Sequence, residues 1–430
     1  MGDASCCILP DGELIIGALL TGDTQIYNPT TNSWSPGGVK AVRSNEETWV
    51  LLPDKTILTV QCFAPFGGEK FIISSNLWKT EGSPPVTLVD PVMHEIGPAM
   101  LMYNGHVIYF GAANDNGHGK TALYAPPASP TGTGVWRAGP DIPKVNNQTI
   151  VCNDCPASLL PNGKVLFTAA NFVNNGWGQP ILFFEYDPNT NTISQAPTPP
   201  NNNNVLFLSR LMLLPTGQVL FSAFSNNIQC YTPDGGPENA WRPTIFGIPW
   251  RISNTEWLLY GTQLNGLSQA NIYGDDCYPA TNYPLIRLRQ SLPPNKVYFA
   301  RTYNFSTMGV ATGPSLQHFN FSVRNIPYGH YELCVIANGI SSYCVPFHYR
   351  RLILGRPATE PTADAEETLL SVEEDVVAES ATIAELRTQI KGLQNSIRRI
   401  EAITKLEEPK PAPKEITQEE TGKGKSGREK

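Results

Sequence analysis

The chain has 430 residues with 38 prolines, 36 glycines and 10 % aromatics, which is long enough for two or three domains and composed like a turn-rich β protein. A net charge of −7, with no lysine or arginine cluster before residue 350, argues against a nucleic-acid partner, since phosphate neutralisation needs a basic face. No apolar run approaches the roughly 18 residues of a membrane span.

The start, Met1-Gly2-Asp3-Ala4, lacks the basic region and apolar core of a signal peptide. The cytoplasm is therefore the default expectation, unless sequence upstream carries a secretion signal. The chain enters a hairpin at once: Cys7-Ile8-Leu9 and Glu13-Leu14-Ile15 flank Pro10-Asp11-Gly12, a short turn between β-prone apolar runs. The unit recurs around Pro53-Asp54-Lys55, Tyr103-Asn104-Gly105, Pro161-Asn162-Gly163 and Pro215-Thr216-Gly217, at intervals of 43, 50, 58 and 54 residues. Propeller blades repeat at roughly 40 to 50 residues.

The intervening segments repeat as well. Tyr27-Asn28-Pro29 leads to Trp34, Tyr124-Ala125-Pro126 to Trp136 and Tyr231-Thr232-Pro233 to Trp241, while Trp78 follows a turn that lacks the tyrosine and Tyr186-Asp187-Pro188 leads to Ile193. A strand ending in tyrosine, a turn and a strand opening with tryptophan make an outer hairpin, so each repeat is expected to be a four-stranded blade. Five blades occupy residues 1–243. Five is few for a ring that starts directly on an inner strand, and the expectation is that upstream blades are missing or that the ring closes with an exposed edge.

Residues 244–350 change pattern. Lys296–Arg301, Phe319–Val323, Tyr331–Ile336 and Tyr343–Phe347 alternate apolar with polar, and Asn338-Gly339 joins the last two, which predicts a small immunoglobulin-like sandwich. A two-residue turn there puts Cys334 and Cys344 on opposite faces, so no disulfide is expected between them unless the loop has three residues. Nine cysteines without a framework spacing suit buried thiols in a reducing compartment.

From residue 355 the composition shifts: 28 of the last 76 residues are charged. Residues 351–406 are read as a linker and coiled coil, with Val376, Ile383, Ile390 and Ile397 at one core position and Leu386 and Leu393 at the other, a pattern that favours a parallel homodimer. Residues 407–430, rich in Pro, Glu and Lys, are expected to be disordered.

Tyr260–Gln269, Ala280–Leu285 and Ser306–Gly313, together with the repeats, resemble the kelch-type propeller proteins of the galactose oxidase-like superfamily. The resemblance implies an all-β chain: a propeller of seven blades in complete members, five of them visible here, then an immunoglobulin-like E-set domain. It also raises the question of copper. Set against that family's ligand pattern, Phe207 and Leu208 stand where it has tyrosine and histidine, and Tyr303 where it has a second histidine. Two of these side chains offer no donor atom, so copper is not expected and no cofactor is assigned.

One register does carry candidate chemistry. Asp3, Glu46 and Asp154 each lie seven residues before their hairpin turn, and Glu95 lies eight before Tyr103. In the galactose oxidase-like pattern this register faces the propeller mouth. Converging carboxylates need a cation, a basic partner or raised pKa values, and Ca²⁺ or Mn²⁺ accepts such an oxygen-rich ring. The alternative is that they accept loop amides or pair with Arg210 and Arg43. Cys152-x-x-Cys155 lacks the further ligands of a zinc site and reads as buried thiols. The residues thus point to a recognition or scaffolding protein for a protein or glycan ligand, with a carbohydrate-active or divalent-metal-dependent enzyme as the competing class.

Overall fold

The computed structural model describes residues 4–269 and 284–351. Asp3, Cys277 and the predicted coiled coil and tail lie outside the described residues.

Five antiparallel sheets follow one another along the chain. Blade 1 comprises β1 (Cys6–Ile8), β2 (Leu14–Gly17), β3 (Thr24–Asn28) and β4 (Ser33–Pro36). Blade 2 is β5 (Val50–Leu51), β6 (Thr56–Val60), β7 (Gly68–Ile72) and β8 (Leu77–Thr80). Blade 3 is β9 (Ala99–Leu101), β10 (Val107–Phe110), β11 (Thr121–Ala125) and β12 (Val135–Ala138). Blade 4 adds a short strand: β13 (Ile150–Val151), β14 (Ala157–Leu159), β15 (Val165–Asn171), β16 (Leu182–Asp187) and β17 (Thr192–Gln195). Blade 5 holds β18 (Ser209–Leu213), β19 (Val219–Ala223) and β20 (Gln229–Tyr231). The innermost strands β1, β5, β9, β14 and β18 lie side by side in succession, which makes the arrangement a five-bladed propeller.

Each inner hairpin is built the same way. Leu9 N–H bonds Glu13 O and Gly12 N–H bonds Leu9 O, and the equivalent pairs recur at Leu52, Met102, Leu160 and Leu214. This is a three-residue loop whose last residue is left-handed: Gly12, Gly105, Gly163 and Gly217 have φ of 80–90°, and Lys55 occupies the same place at φ 64°. The middle residue tightens the loop where it is Asp or Asn, since Asp11, Asp54, Asn104 and Asn162 each accept the N–H two residues on.

Blade faces explain the continuous apolar runs. In blade 3, Leu101, Val107 and Tyr109 join a core with blades 1 and 2, whereas Met100, Ile108 and Phe110 join a core with blades 4 and 5. Successive strand residues point to opposite faces, and a strand between two neighbours must be apolar on both. The tyrosine–tryptophan pairs are cross-strand neighbours in blades 1 and 3, with ring centroids 5.0 and 4.9 Å apart. The tyrosine missing from blade 2 is replaced by Phe71, which pairs with Trp78 at 5.2 Å.

Blade 5 corrects an expectation. Its predicted fourth strand does not form; Trp241 lies in a 3₁₀ turn (Asn239–Trp241) and its ring packs 4.6 Å from that of Tyr103. A Cβ on Gly163 would stand 2.8 Å from the same indole. The tryptophan thus covers the hairpin turns of blades 3 and 4 instead of extending its own sheet.

After the blades come β21 (Thr244–Arg251), β22 (Glu256–Thr262), β23 (Leu285–Gln290), β24 (Val297–Tyr303), β25 (Leu316–Ser322), β26 (Gly329–Ala337), β27 (Ile340–Ser341) and β28 (Val345–Tyr349). Hydrogen bonds run β21-β22-β25-β24-β23-β26, with β27 and β28 both on β26. Trp257 and Phe319 share one core with Ile286, Leu333 and Phe347, so the sheet is rolled over on itself.

A second correction concerns the cysteines. Asn338-Gly339 does form a two-residue turn, pairing Ala337 with Ile340 and Ile336 with Ser341. Beyond it the register slips by one residue, so that Leu333 pairs with Val345 and Val335 N–H is met by the Ser342 hydroxyl at 3.0 Å. The extra residue brings Cys344 opposite Cys334, and the two are disulfide-bonded. Cys6 is disulfide-bonded as well. Cys7, Cys62, Cys152 and Cys155 are the buried thiols expected, and Cys230 is an exposed one.

The rolled sheet meets the propeller at the hairpin turns. Met308 N–H and Thr307 Oγ1 both donate to Pro10 O, at 2.7 and 3.0 Å, Gln269 Nε2 donates to Ile8 O at 3.2 Å, and Val310 is part of the core of blades 1 to 3. At blade 5, Leu213, Leu214 and Pro215 face Leu285, Ile336 and Gly339 around an apolar cavity of about 180 Å³.

Candidate functional site

The inner strands run from one end of the propeller to the hairpin turns, so the residues just before them share the opposite end. There the structure brings together Glu46, Glu95 and Asp154, from three consecutive blades, with one carboxylate oxygen of each within 4.8 Å of the others. Three of the four predicted carboxylates therefore converge. Asp3 falls outside the described residues.

The backbone before each strand is shaped to do this. Ser5 Oγ donates to Asn45 O and Glu47 O at 2.8 and 2.7 Å, tying blade 1 to the approach of blade 2. Asn45 Nδ2 in turn donates to His94 O at 2.9 Å, which ties blade 2 to blade 3. His94 and Asp154 are both left-handed, at φ 59° and 51°, a conformation that costs a residue with a Cβ about 1–2 kcal/mol and persists only where surrounding contacts hold it. Glu95 is buried, and Glu46 and Asp154 are half-buried.

Adjacent glutamates have different roles. Glu47 turns into the joint between blades 1 and 2, where it pairs with Lys40 and accepts Trp49 Nε1–H at 3.1 Å. Lys40 also lies 3.6 Å from Glu69, and all three side chains are buried. Burial pushes the Glu47 carboxyl up, against the charge and hydrogen bonds of Lys40. Glu46, one residue earlier, joins the mouth.

Sequence reasoning missed the aromatic part of this end. The Phe63 ring lies 4.5 Å from the His94 imidazole, and the Arg43 guanidinium sits 3.9 Å from its centroid. In the sequence Arg43 reads only as a partner for the carboxylates. His94, with no metal-ligand spacing in the chain, carried no signal; its Nδ1 lies 3.2 Å from Cys62 O.

Arg210 sits half-buried at the start of blade 5, donating to Phe207 O and Ser209 O. Phe207 and Leu208 lie in the 3₁₀ turn Leu206–Leu208, the Phe207 ring 4.8 Å from Trp177. Tyr303 is on β24, where its hydroxyl donates to Glu256 at 2.6 Å. The thiols near the mouth are held protonated: burial pushes Cys62 and Cys155 well up, which suits packing and not nucleophilic or redox work.

No protein-family model matches the chain, and no curated protein matches it. Among solved structures, that of YjhT is similar with a TM-score of 0.37 and 10 % identity, over 54 % of this chain and 84 % of its own. Among the described residues no helix is long and apolar enough to cross a membrane.

Proposed function

We propose that this is a non-catalytic recognition or scaffolding protein that takes a protein or glycan ligand at the carboxylate end of its propeller. The supporting observation is that three blades deliver Glu46, Glu95 and Asp154 to one place, and that Arg43, Phe63 and His94, the last next to Glu95 in the chain, add a cation and aromatic surface at that end. Such a surface fits either a basic segment of a protein or a sugar that stacks on the ring and donates its hydroxyls to carboxylates. On this reading the chain is of the kelch, galactose oxidase-like type, its rolled sheet is the E-set domain, and Val376 to Ile397 pair two copies in a parallel coiled coil, raising avidity.

The test uses the full chain on a glycan array and on Lys/Arg-rich peptides, alongside Glu46→Gln/Glu95→Gln and Phe63→Ala variants. Hits that both variants weaken support the reading. No hit on either probe, or hits that both variants retain, refutes it.

The competing reading is a divalent-metal-dependent carbohydrate-active enzyme, and the proximity of three carboxylate oxygens favours it. Ca²⁺ or Mn²⁺ would be the ion, being oxygen-seeking. A rise in Tm with either ion that Glu95→Gln abolishes would support metal dependence; an unchanged Tm would remove it.

A further inference from the structure

We propose that His330 and His348 form a surface site for a divalent transition-metal ion, separate from the propeller mouth. The two residues are direct cross-strand partners on β26 and β28. Both are exposed, their rings stand at 77° with centroids 4.6 Å apart, and Nδ1 faces Nδ1 at 2.6 Å.

The pairing follows from strand alternation. Tyr331, Phe347 and Tyr349 point into the core and are buried, which turns their neighbours His330 and His348 to the same outer face. The strands below are fixed: Tyr331 Oη donates to Pro327 O at 2.7 Å, the Tyr328 and Tyr349 rings pack at a tilt with centroids 4.6 Å apart, and Ser291 N–H bonds His330 O at 3.0 Å. The two imidazoles therefore converge from a rigid sheet, the arrangement that makes a chelate with little ordering cost.

The chemistry is that of a pair of nitrogen donors. In the present contact one Nδ1 carries a proton and the other accepts it. Moving that proton to the remote nitrogen of its ring leaves two lone pairs facing the same point. Two imidazole nitrogens at about 2.0–2.1 Å from one ion stand roughly 2.9–3.4 Å apart for bond angles of about 90–110°, so the rings need to open by less than about 1 Å. Imidazole selects Zn²⁺, Ni²⁺ and Cu²⁺ over the oxygen-seeking Ca²⁺ and Mn²⁺. Water fills the remaining positions. Glu332, on the same outer face, is ion-paired with Arg289 at 3.6 Å and stays outside the site.

The full chain is titrated with NiCl₂ and with ZnCl₂ by calorimetry, alongside His330→Ala, His348→Ala, His348→Gln and Glu46→Gln/Glu95→Gln variants. Expected is one site of micromolar affinity, weakened at least tenfold in each histidine variant and kept in the carboxylate variant. Because both side chains are exposed, the metal-free Tm of the histidine variants should match the parent. Cu²⁺ at one equivalent should give an electron paramagnetic resonance spectrum with coupling to two nitrogens, reduced to one or none in His348→Gln. Unchanged affinity in the histidine variants, or no binding at millimolar metal, overturns the proposal.

Discussion

The Tyr124 hydroxyl of blade 3 donates to Glu81 Oε1 at the edge of blade 2, at 2.6 Å. The same carboxylate accepts Gly134 N–H at 2.6 Å and lies 3.2 and 3.1 Å from Lys70 and Lys79. Blades 4 and 5 repeat the device, with Tyr231 Oη donating to Glu185 at 2.6 Å and Lys164 pairing with that carboxylate at 2.9 Å. The repeated tyrosine is thus more than a packing residue: in these two blades its hydroxyl joins its own sheet to the preceding one.

Tyr124→Phe should lower stability by about 2 kcal/mol at neutral pH, because it removes a bond to a buried charged acceptor. Burial alone would raise the Glu81 carboxyl, but the bonds from Tyr124, Gly134 and Lys79 and the charge of Lys70 outweigh it and hold the group below the usual carboxylate range. A lowered folded pKa means that the unfolded chain binds the proton more readily. The stability it contributes is therefore present above roughly pH 4.3 and lost as pH falls through the folded value. Urea denaturation from pH 7 to pH 3 should show the deficit of the variant shrinking on acidification.

Lys40→Met should cost about 3–5 kcal/mol, since Glu47 and Glu69 would keep buried charge without their cation. The Glu47 carboxyl is already raised by burial, and without Lys40 it should rise further. The deficit should then begin to shrink already above the usual carboxylate range, as pH falls through the raised Glu47 value, because protonation removes the charge. The double variant Lys40→Met/Glu47→Leu should recover part of the loss at pH 7; a double variant less stable than Lys40→Met alone would contradict this.

Opposite signs are expected at two equivalent turn positions. Lys55 is left-handed at φ 64° where other blades have glycine, so Lys55→Gly should stabilise by about 0.5–1 kcal/mol. Gly217→Ala should destabilise by at least about 1 kcal/mol, because φ is 83° and its Cβ would stand 2.7 Å from Pro161 Cγ. Tm values of the two variants measured against the parent check both signs.

The Cys334–Cys344 bridge closes a short loop with a sequence separation of 10. Cys344→Ser should cost about 2–3 kcal/mol by the chain-entropy account, and the intact chain should yield a linked peptide pair on non-reducing mapping. Arg287 Nη2, 3.1 Å from Cys334 Sγ, should keep its position in the variant, because it lies on β23 and β23 is held by β26.

The repeated hairpins were legible in the chain, because turn chemistry is a local property that repeats with the blade, whereas the shared end of Glu46, Glu95 and Asp154 was expected only through the resemblance and became visible as a convergence in the fold. Contacts between distant residues were not legible either. The Arg43–Phe63–His94 stack joins three loops whose spacing has no period, and the disulfide depends on one residue of register slip that a two-residue turn does not announce. The segments Tyr260–Gln269 and Ser306–Gly313 stood out in the sequence for their resemblance, yet only the packing gives them a physical task. They supply Gln269, Thr307, Met308 and Val310, which join the rolled sheet to blade 1. Local order follows from residue pattern; which of those ordered pieces meet is set by side-chain fit across hundreds of residues, which only the folded chain reveals.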